Sequence, residues 1–315
     1  MRLAFMGTPD FAVPALSALV ESKRHDIAFV ITQPDKPKGR GMHLQSPPVK
    51  ELAQRDGLRV YQPPSLKDNA EVRDLFAASL LDAVIVVAYG KMIPPDMLDL
   101  PRIGFLNVHA SLLPEFRGAS PINRAVMAGC TTTGISIMKI DEGMDSGPVY
   151  MQSSISINEE DDALRLSERL SALGAVKLLE ALALIEDGKM QPAPQDHARS
   201  TYAPMLTKED GAIDWGKDPR TIHNLIRGLV PWPCAYTFLQ GKMLKIMKGS
   251  YEIEDHGIQA GTLLKDKSGV RIACNGGYII PKVLLLEGKK AIDAAAFSNG
   301  LKTDRAIVGG RQETL

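Results

Sequence analysis

Over the first 188 positions, apolar residues come in short β-branched runs separated by stretches of helical period, the pattern of βαβ units stacked into a mostly parallel sheet. Residues 3–6 read as the first strand. Gly7 ends it, Thr8 is placed to cap the following helix, and Pro9 falls in that helix's first turn. Residues 27–32 form the second strand. Helical spacing follows over 48–54 and 71–80, and residues 83–88 include Val84, Ile85, Val86 and Val87 in succession, as a strand covered on both faces requires. Strands over 105–109 and 134–140 flank a helix over 121–128. A long helical pattern over 163–185 ends this half, with Gly188 in a C-capping position.

The pattern then changes. Residues 189–208 contain three prolines and no period, which predicts a surface linker and a domain boundary. After a helix over 219–227, five short strands are expected at 235–239, 243–247, 261–264, 270–273 and 278–286, punctuated by glycine. Short, evenly spaced strands of this kind predict a small Greek-key barrel like the OB-fold, an architecture that commonly binds oligonucleotides. The expected organisation is an α/β domain over 1–188, the linker over 189–208, and an OB-like β-barrel domain over 209–315.

Composition narrows the class. The 315 residues are 44% hydrophobic and 23% charged, ordinary values for a folded globular protein. No apolar stretch approaches the roughly 18 residues of a membrane span, and Gly7, Pro9 and Asp10 interrupt the amino end before a signal-peptide core could form. A cytoplasmic location and a monomer are the expectations. Cys130, Cys234 and Cys274 are too far apart for a disulfide framework or a paired metal site and are expected to be buried thiols. The six histidines form no H-x-x-x-H pair, so no metal is expected.

Net charge is zero, but the sum hides structure: residues 209–315 carry 15 Lys and Arg against 12 Asp and Glu. A sharper excess lies in residues 33–50, where Lys36, Lys38, Arg40 and Lys50 face only Asp35.

Two familiar patterns fail on inspection. Gly39-Arg-Gly41-Met-His-Leu44 has Leu44 in the third slot of a dinucleotide fingerprint and follows a Pro-rich loop rather than a strand. Gly211 to Lys217 has P-loop spacing, but Asp218 stands where Ser or Thr is needed. The segment from Phe105 to Gly118 is different. Alternation places Asn107, His109 and Ser111 on one face at the carboxyl end of a strand, where open α/β sheets bind their ligands. Such residues can instead satisfy turn backbone, but three in register favour a site. Downstream, Asp141-Glu-Gly143-Met-Asp145-Ser-Gly147 follows another strand, so either aspartate could reach the same edge.

Asn107-Val-His109-Ala-Ser111-Leu-Leu-Pro114 together with Asp141-x-Gly143-x-Asp145-x-Gly147 resembles the motif pair of the folate-dependent formyltransferases. The resemblance spans nearly the whole chain. Met6-Gly-Thr-Pro-Asp-Phe11, Thr32-Gln-Pro-Asp35, Val87-Ala-Tyr-Gly90, Ile213-Asp-Trp215 and Pro231-Trp-Pro233 are similar to the branch that acts on a charged tRNA. It implies a Rossmann-like catalytic domain before the barrel. It further implies transfer of formyl from 10-formyltetrahydrofolate to the α-amino group of methionyl-initiator-tRNA, with Asn107, His109 and Asp145 as the reacting groups. Ser111, Leu112, Leu113 and Pro114, with Tyr89 and Gly90, are implied as the folate wall. For tRNA, the resemblance points to the 33–50 loop with Lys36, Lys38 and Arg40, and the basic barrel adds Lys242, Lys245 and Lys248. Met205 departs from the usual Lys of the family, and Cys234 from a frequent small residue.

Overall fold

The computed structural model describes residues 1–38, 43–266 and 269–310, with the side chains of Lys38 and His43 left outside the description. Contacts divide the chain into two compact units. One comprises Met1–Pro121, Thr132–Ser156 and Ser167–Pro204; the other comprises Ile122–Thr131, Ile157–Leu166 and the chain from Met205 on.

The first unit opens with β1 (Arg2–Gly7), α1 (Val13–Ser22) and β2 (Asp26–Ile31), followed by the short hairpin β3 (Lys36–Lys38) and β4 (His43–Gln45). Next come α2 (Pro48–Arg55), β5 (Val60–Tyr61), α3 (Ala70–Ala78), β6 (Ala83–Val87) and β7 (Gly104–His109). β8 (Thr132–Lys139) and β9 (Val149–Ser156) complete one seven-stranded sheet in the order β5-β2-β1-β6-β7-β8-β9; α4 (Pro121–Met127), which precedes β8 in the chain, belongs almost wholly to the second unit, and α5 (Ala163–Glu186), which follows β9, belongs to the first from Ser167 on. Strands β5 through β7 are parallel. β8 and β9 turn antiparallel at the edge. The sheet is therefore mostly parallel and Rossmann-like, with its order reversing at β1 and β6, the kind of switch point beside which such sheets bind their ligands.

Every residue of β6 is buried, as its unbroken Val and Ile run requires. Phe29, Phe76 and Phe105 pack over the sheet in consecutive ring contacts, joined in the core by Met6, Val84 and Tyr89. The amino-terminal cap differs from expectation. Thr8 caps nothing: a single turn at Asp10–Ala12 precedes α1, and the Thr8 hydroxyl donates to the Tyr89 carbonyl at 3.4 Å. β9 was not expected because its alternation is one of half-exposed and exposed positions, with Gln152 and three serines among its residues.

Residues 189–204 are held against the first unit by bridges from Ala193 to Val149 and from Tyr202 to Arg117. Pairing, rather than period, gives this Pro-rich stretch its course.

In the second unit, α6 (Pro219–Gly228) is followed by β10 (Ala235–Leu239), β11 (Lys242–Ile253), β12 (Thr262–Asp266), β13 (Gly269–Cys274) and β14 (Gly277–Leu286), then β15 (Ile292–Asp293), α7 (Ala294–Asn299) and β16 (Arg305–Gly309). The ring β11-β10-β16-β12-β13-β14 closes through β11 against β14, giving a six-stranded antiparallel barrel, with β15 added at β14. Five of its strands match the sequence expectation. β11 runs longer than expected because register shifts between Ile246 and Gly249 bend it onward. Strand β16, between β10 and β12, carries no strand signal in the sequence because only Val308 in it is buried.

Leu244, Ile246, Leu263, Ile272 and Ile279 fill the barrel around Trp215, whose indole N–H donates to Thr237 Oγ1 at 3.1 Å. Each such side chain contributes about 1.5–3 kcal/mol by leaving water. Cys234 and Cys274 are buried, and burial pushes both thiols up, Cys274 to about 11. Cys130, also expected to be buried, is only half-buried.

Candidate active site

Alternation along β7 sends Val108 one way and Asn107 and His109 the other. Val108 packs beneath α5, where Gly174 admits it: a Cβ there would lie 2.9 Å from Val108 Cγ1. Asn107 and His109 therefore emerge together on the opposite face at the strand's carboxyl end. The His109 side chain is only 6% exposed, which leaves it little access to bulk water.

Asp145 meets them from the turn after β8. Its Oδ1 lies 3.4 Å from Asn107 Nδ2, and its Oδ2 lies 3.6 Å from His109 Nδ1. Oδ2 also accepts the Gly118 N–H at 2.8 Å. Of the two candidate aspartates, only Asp145 faces this cluster. Asp141 accepts from Gly143 N at 3.1 Å and Ser146 Oγ at 2.8 Å, and so folds the turn. Asp145 itself sits at φ 48° in the left-handed region, which Asp tolerates better than bulkier residues. That conformation turns its carboxylate back toward β7. Gly147 is required two residues on, because any Cβ there would collide with the Lys139 carbonyl.

The other side of the imidazole is fixed too. His109 Nε2 lies 3.0 Å from the Phe116 carbonyl, which can only accept, so Nε2 carries the proton. Nδ1 faces a carboxylate. Both ring nitrogens thus face oxygen atoms, which fixes the orientation of the ring.

Ser111 does not join the cluster. Its hydroxyl is fully buried and donates to the Glu115 carbonyl at 2.6 Å, the turn-satisfying role that the alternation argument had set aside. The strand ends at His109, so alternation no longer governs position 111. The loop beyond it is held by Ser136, whose hydroxyl donates to the Ser111 carbonyl at 2.7 Å and accepts from Leu113 N at 3.0 Å. Gln152 Nε2 adds a bond to the Leu113 carbonyl at 2.7 Å. The Leu113–Pro114 peptide is cis. Leu113 is buried, whereas Leu112 and Pro114 keep part of their surface open. Leu112 leans on Gly134, whose added Cβ would meet Leu112 Cδ2 at 2.5 Å.

The Tyr89 ring points away, into the core beneath the sheet, and is 1% exposed. Burial pushes its phenol up to about 12, so it is a neutral hydroxyl with no part in proton transfer near neutrality. What this segment can offer a ligand is backbone. The Tyr89 carbonyl accepts from Gln33 Nε2 at 2.8 Å, and Gly90 takes φ 80°.

The basic positions are dispersed. Lys36 is exposed and donates to Gln33 Oε1 at 2.9 Å. Arg40 and the side chain of Lys38 lie outside the described residues. Lys50 is paired with Asp35 at 2.7 Å, and the Gln62 amide and the Lys50 ammonium hold that carboxyl below its usual range. This pair removes one cation from the local excess. On β11, Lys242 and Lys248 are exposed, whereas Lys245 is half-buried and donates to the Pro233 carbonyl at 3.0 Å.

Two residues near Asp145 were not read from the sequence. Gln195 Nε2 donates to the Asp145 and Gly147 carbonyls at 2.8 and 2.7 Å, and Arg117 reaches Gln195 Oε1 through Nη2 at 2.7 Å and Nε at 3.1 Å. Gln195 lies in the Pro-rich stretch, where no period marks a buried polar residue. Arg117, within the recognised motif segment, could have been suspected.

An amide, an imidazole and a carboxylate at the carboxyl end of a Rossmann-like strand, with a barrel domain following, define a group-transfer enzyme of the formyltransferase type. The family model described as formyl transferase matches residues 1–182, and that of the formyl transferase C-terminal domain matches residues 205–302. The chain belongs to this family, and within it to the methionyl-tRNA formyltransferases. The methionyl-tRNA formyltransferase of Geotalea uraniireducens is 44% identical over 313 residues, covering 99% of each chain. That of Caldanaerobacter subterraneus is 47% identical over 275 residues, covering 87% of this chain and 88% of its own. Among solved structures, the sugar 3N-formyltransferase WlaRD shares the fold with a TM-score of 0.67 at 17% identity, covering 92% of this chain and 99% of its own.

Proposed function

We propose that the protein transfers the formyl group of 10-formyltetrahydrofolate to the free α-amino group of methionyl-initiator-tRNA, giving the N-formylmethionyl-tRNA used in translation initiation. The observation that carries this reading is the meeting of Asn107, His109 and Asp145 at the end of β7.

The folate supplies a formyl carbon already activated toward amines. As the amine adds, negative charge gathers on the formyl oxygen. The Asn107 amide and the His109 imidazole are the donors for that charge; losing one such donor typically costs ~10²- to 10³-fold in rate. Asp145, facing the His109 ring, accepts, through water where needed, the proton the amine must lose; the tetrahedral intermediate then collapses with cleavage of the bond between the formyl carbon and N10, and the proton passes to N10 of the departing tetrahydrofolate. No covalent enzyme intermediate is required, and Ser111, engaged in its own turn, has no nucleophilic role.

The part-open Leu112 and Pro114 and the backbone at Ser111, Leu113, Tyr89 and Gly90 suit a flat pterin, which needs apolar walls and a few main-chain partners. Lys36, Lys38 and Arg40, with Lys242, Lys245 and Lys248, supply attraction for the tRNA backbone. Among the described residues no helix is long and apolar enough to cross a membrane. The proposed working form is a cytoplasmic monomer.

A small amine such as glycinamide ribonucleotide is the rival acceptor for the same chemistry. Purified protein given labelled 10-formyltetrahydrofolate is expected to label methionyl-initiator-tRNA and to leave glycinamide ribonucleotide unlabelled. Label on the ribonucleotide alone would overturn the assignment.

A further inference from the structure

The Gln195 carboxamide has no bonding capacity to spare. Its two N–H groups go to two carbonyls of one turn, those of Asp145 and Gly147, and its oxygen receives two N–H groups of one guanidinium, that of Arg117. The partners lie 78 and about 50 residues away along the chain, so this amide joins two loops that adjoin no common strand end in sequence.

Those loops hold the reacting groups. The Arg117 loop contributes the Phe116 carbonyl to His109 Nε2 and the Gly118 N–H to Asp145 Oδ2. The turn contributes Asp145 itself, at φ 48°. The segment bearing Gln195 then continues alongside the same loop. Thr201 takes the Arg117 N–H on its carbonyl at 2.9 Å and the Phe116 N–H on its hydroxyl at 2.8 Å, and Ala203 donates its N–H to the Arg117 carbonyl at 2.7 Å. A left-handed residue persists where its surroundings over-determine it, and here the constraint falls on the Asp145 carbonyl.

We infer that Gln195, backed by Arg117, is a positioning residue for formyl transfer: it clamps the Asp145 turn to the Phe116–Gly118 loop and so sets the carboxylate against His109 and Asn107. This rests on the function proposed above. The Gln195 carboxamide spends its hydrogen bonds on Asp145, Gly147 and Arg117, so its removal acts through placement, and a displacement near 1 Å can cost up to about 100-fold in rate.

The test measures formyl transfer to methionyl-tRNA, together with amide hydrogen exchange at Gly118, in the full-length protein. Gln195→Ala is expected to lower kcat about 10- to 100-fold, with KM for both substrates within about threefold of the parent. In an Asp145→Ala background the same change is expected to lower kcat by less than about twofold, because the group it positions is gone. Gln195→Glu keeps the Arg117 contact but sets oxygen against the two carbonyls, and is expected to behave like Gln195→Ala; it serves also if the alanine variant folds poorly. In either variant the Gly118 amide is expected to exchange at least about tenfold faster.

A kcat within about twofold of the parent, or an undiminished loss in the Asp145→Ala background, overturns the inference. Absence of any formyl transfer by the parent chain would instead sink the functional reading. In that case the exchange measurement still decides the clamp, and unchanged Gly118 exchange overturns it.

Discussion

At the scale of single residues, surroundings rather than identity separate the groups that can react from those that cannot. Asp141 and Asp145 lie four residues apart in one turn, yet one folds the turn and the other faces His109. Ser111 shares a motif with Asn107 and His109 and spends its hydroxyl on Glu115. Tyr89 is the plainest example. Its phenol oxygen is buried with no hydrogen-bond partner among the described residues. A buried hydroxyl left unpaired costs roughly 1–3 kcal/mol, so Tyr89→Phe should stabilise the protein by about 1 kcal/mol. Thermal unfolding reads this as a raised midpoint, with folate affinity unchanged because only the backbone of this segment is offered to the ligand. A lowered midpoint would mean that the hydroxyl has a partner.

At the scale of elements, the sequence was most legible where one periodicity governs a whole segment. The Val84–Val87 run specified β6, and the short strand-like runs at 235–239 and 278–286, set off by glycine, matched β10 and β14. Asn107 and His109 were correctly placed on one face of β7 because alternation holds to the strand's last residue. Legibility failed where long-range pairing substitutes for period. β16 is mostly exposed, β9 is a polar edge, and the 189–204 stretch takes its path from bridges to Val149 and Arg117. Gln195 was invisible for that reason.

The same dependence on neighbours makes Gly134 of β8 sensitive. A Cβ there would collide with the Ser153 carbonyl and press on Leu112. Gly134→Ala is expected to cost about 1–3 kcal/mol, as overpacking does, and to raise KM for the folate by displacing Leu112. Urea unfolding and steady-state kinetics check both. Parent-like stability would show that β8 and β9 can part without cost.

At the scale of the whole molecule, the proposed chemistry is confined to one unit, whereas the cations proposed to attract tRNA are spread over both. Asn107, His109 and Asp145 belong to the first unit together with Lys36, whereas Lys242, Lys245 and Lys248 lie on the barrel of the second. A formal net charge of zero is compatible with an RNA partner because attraction to phosphates depends on local cations, not on the sum. Binding and catalysis should therefore separate cleanly under mutation of the first unit's site.

The most direct measurement is single-turnover formyl transfer to methionyl-tRNA by Asp145→Ala beside the parent, with tRNA and folate affinities determined on the same preparations. The transfer rate is expected to fall ~10²- to 10³-fold while both affinities stay within about threefold. A variant that transfers formyl at the parent's rate would contradict the role given to the carboxylate, and with it the proposed chemistry at the end of β7.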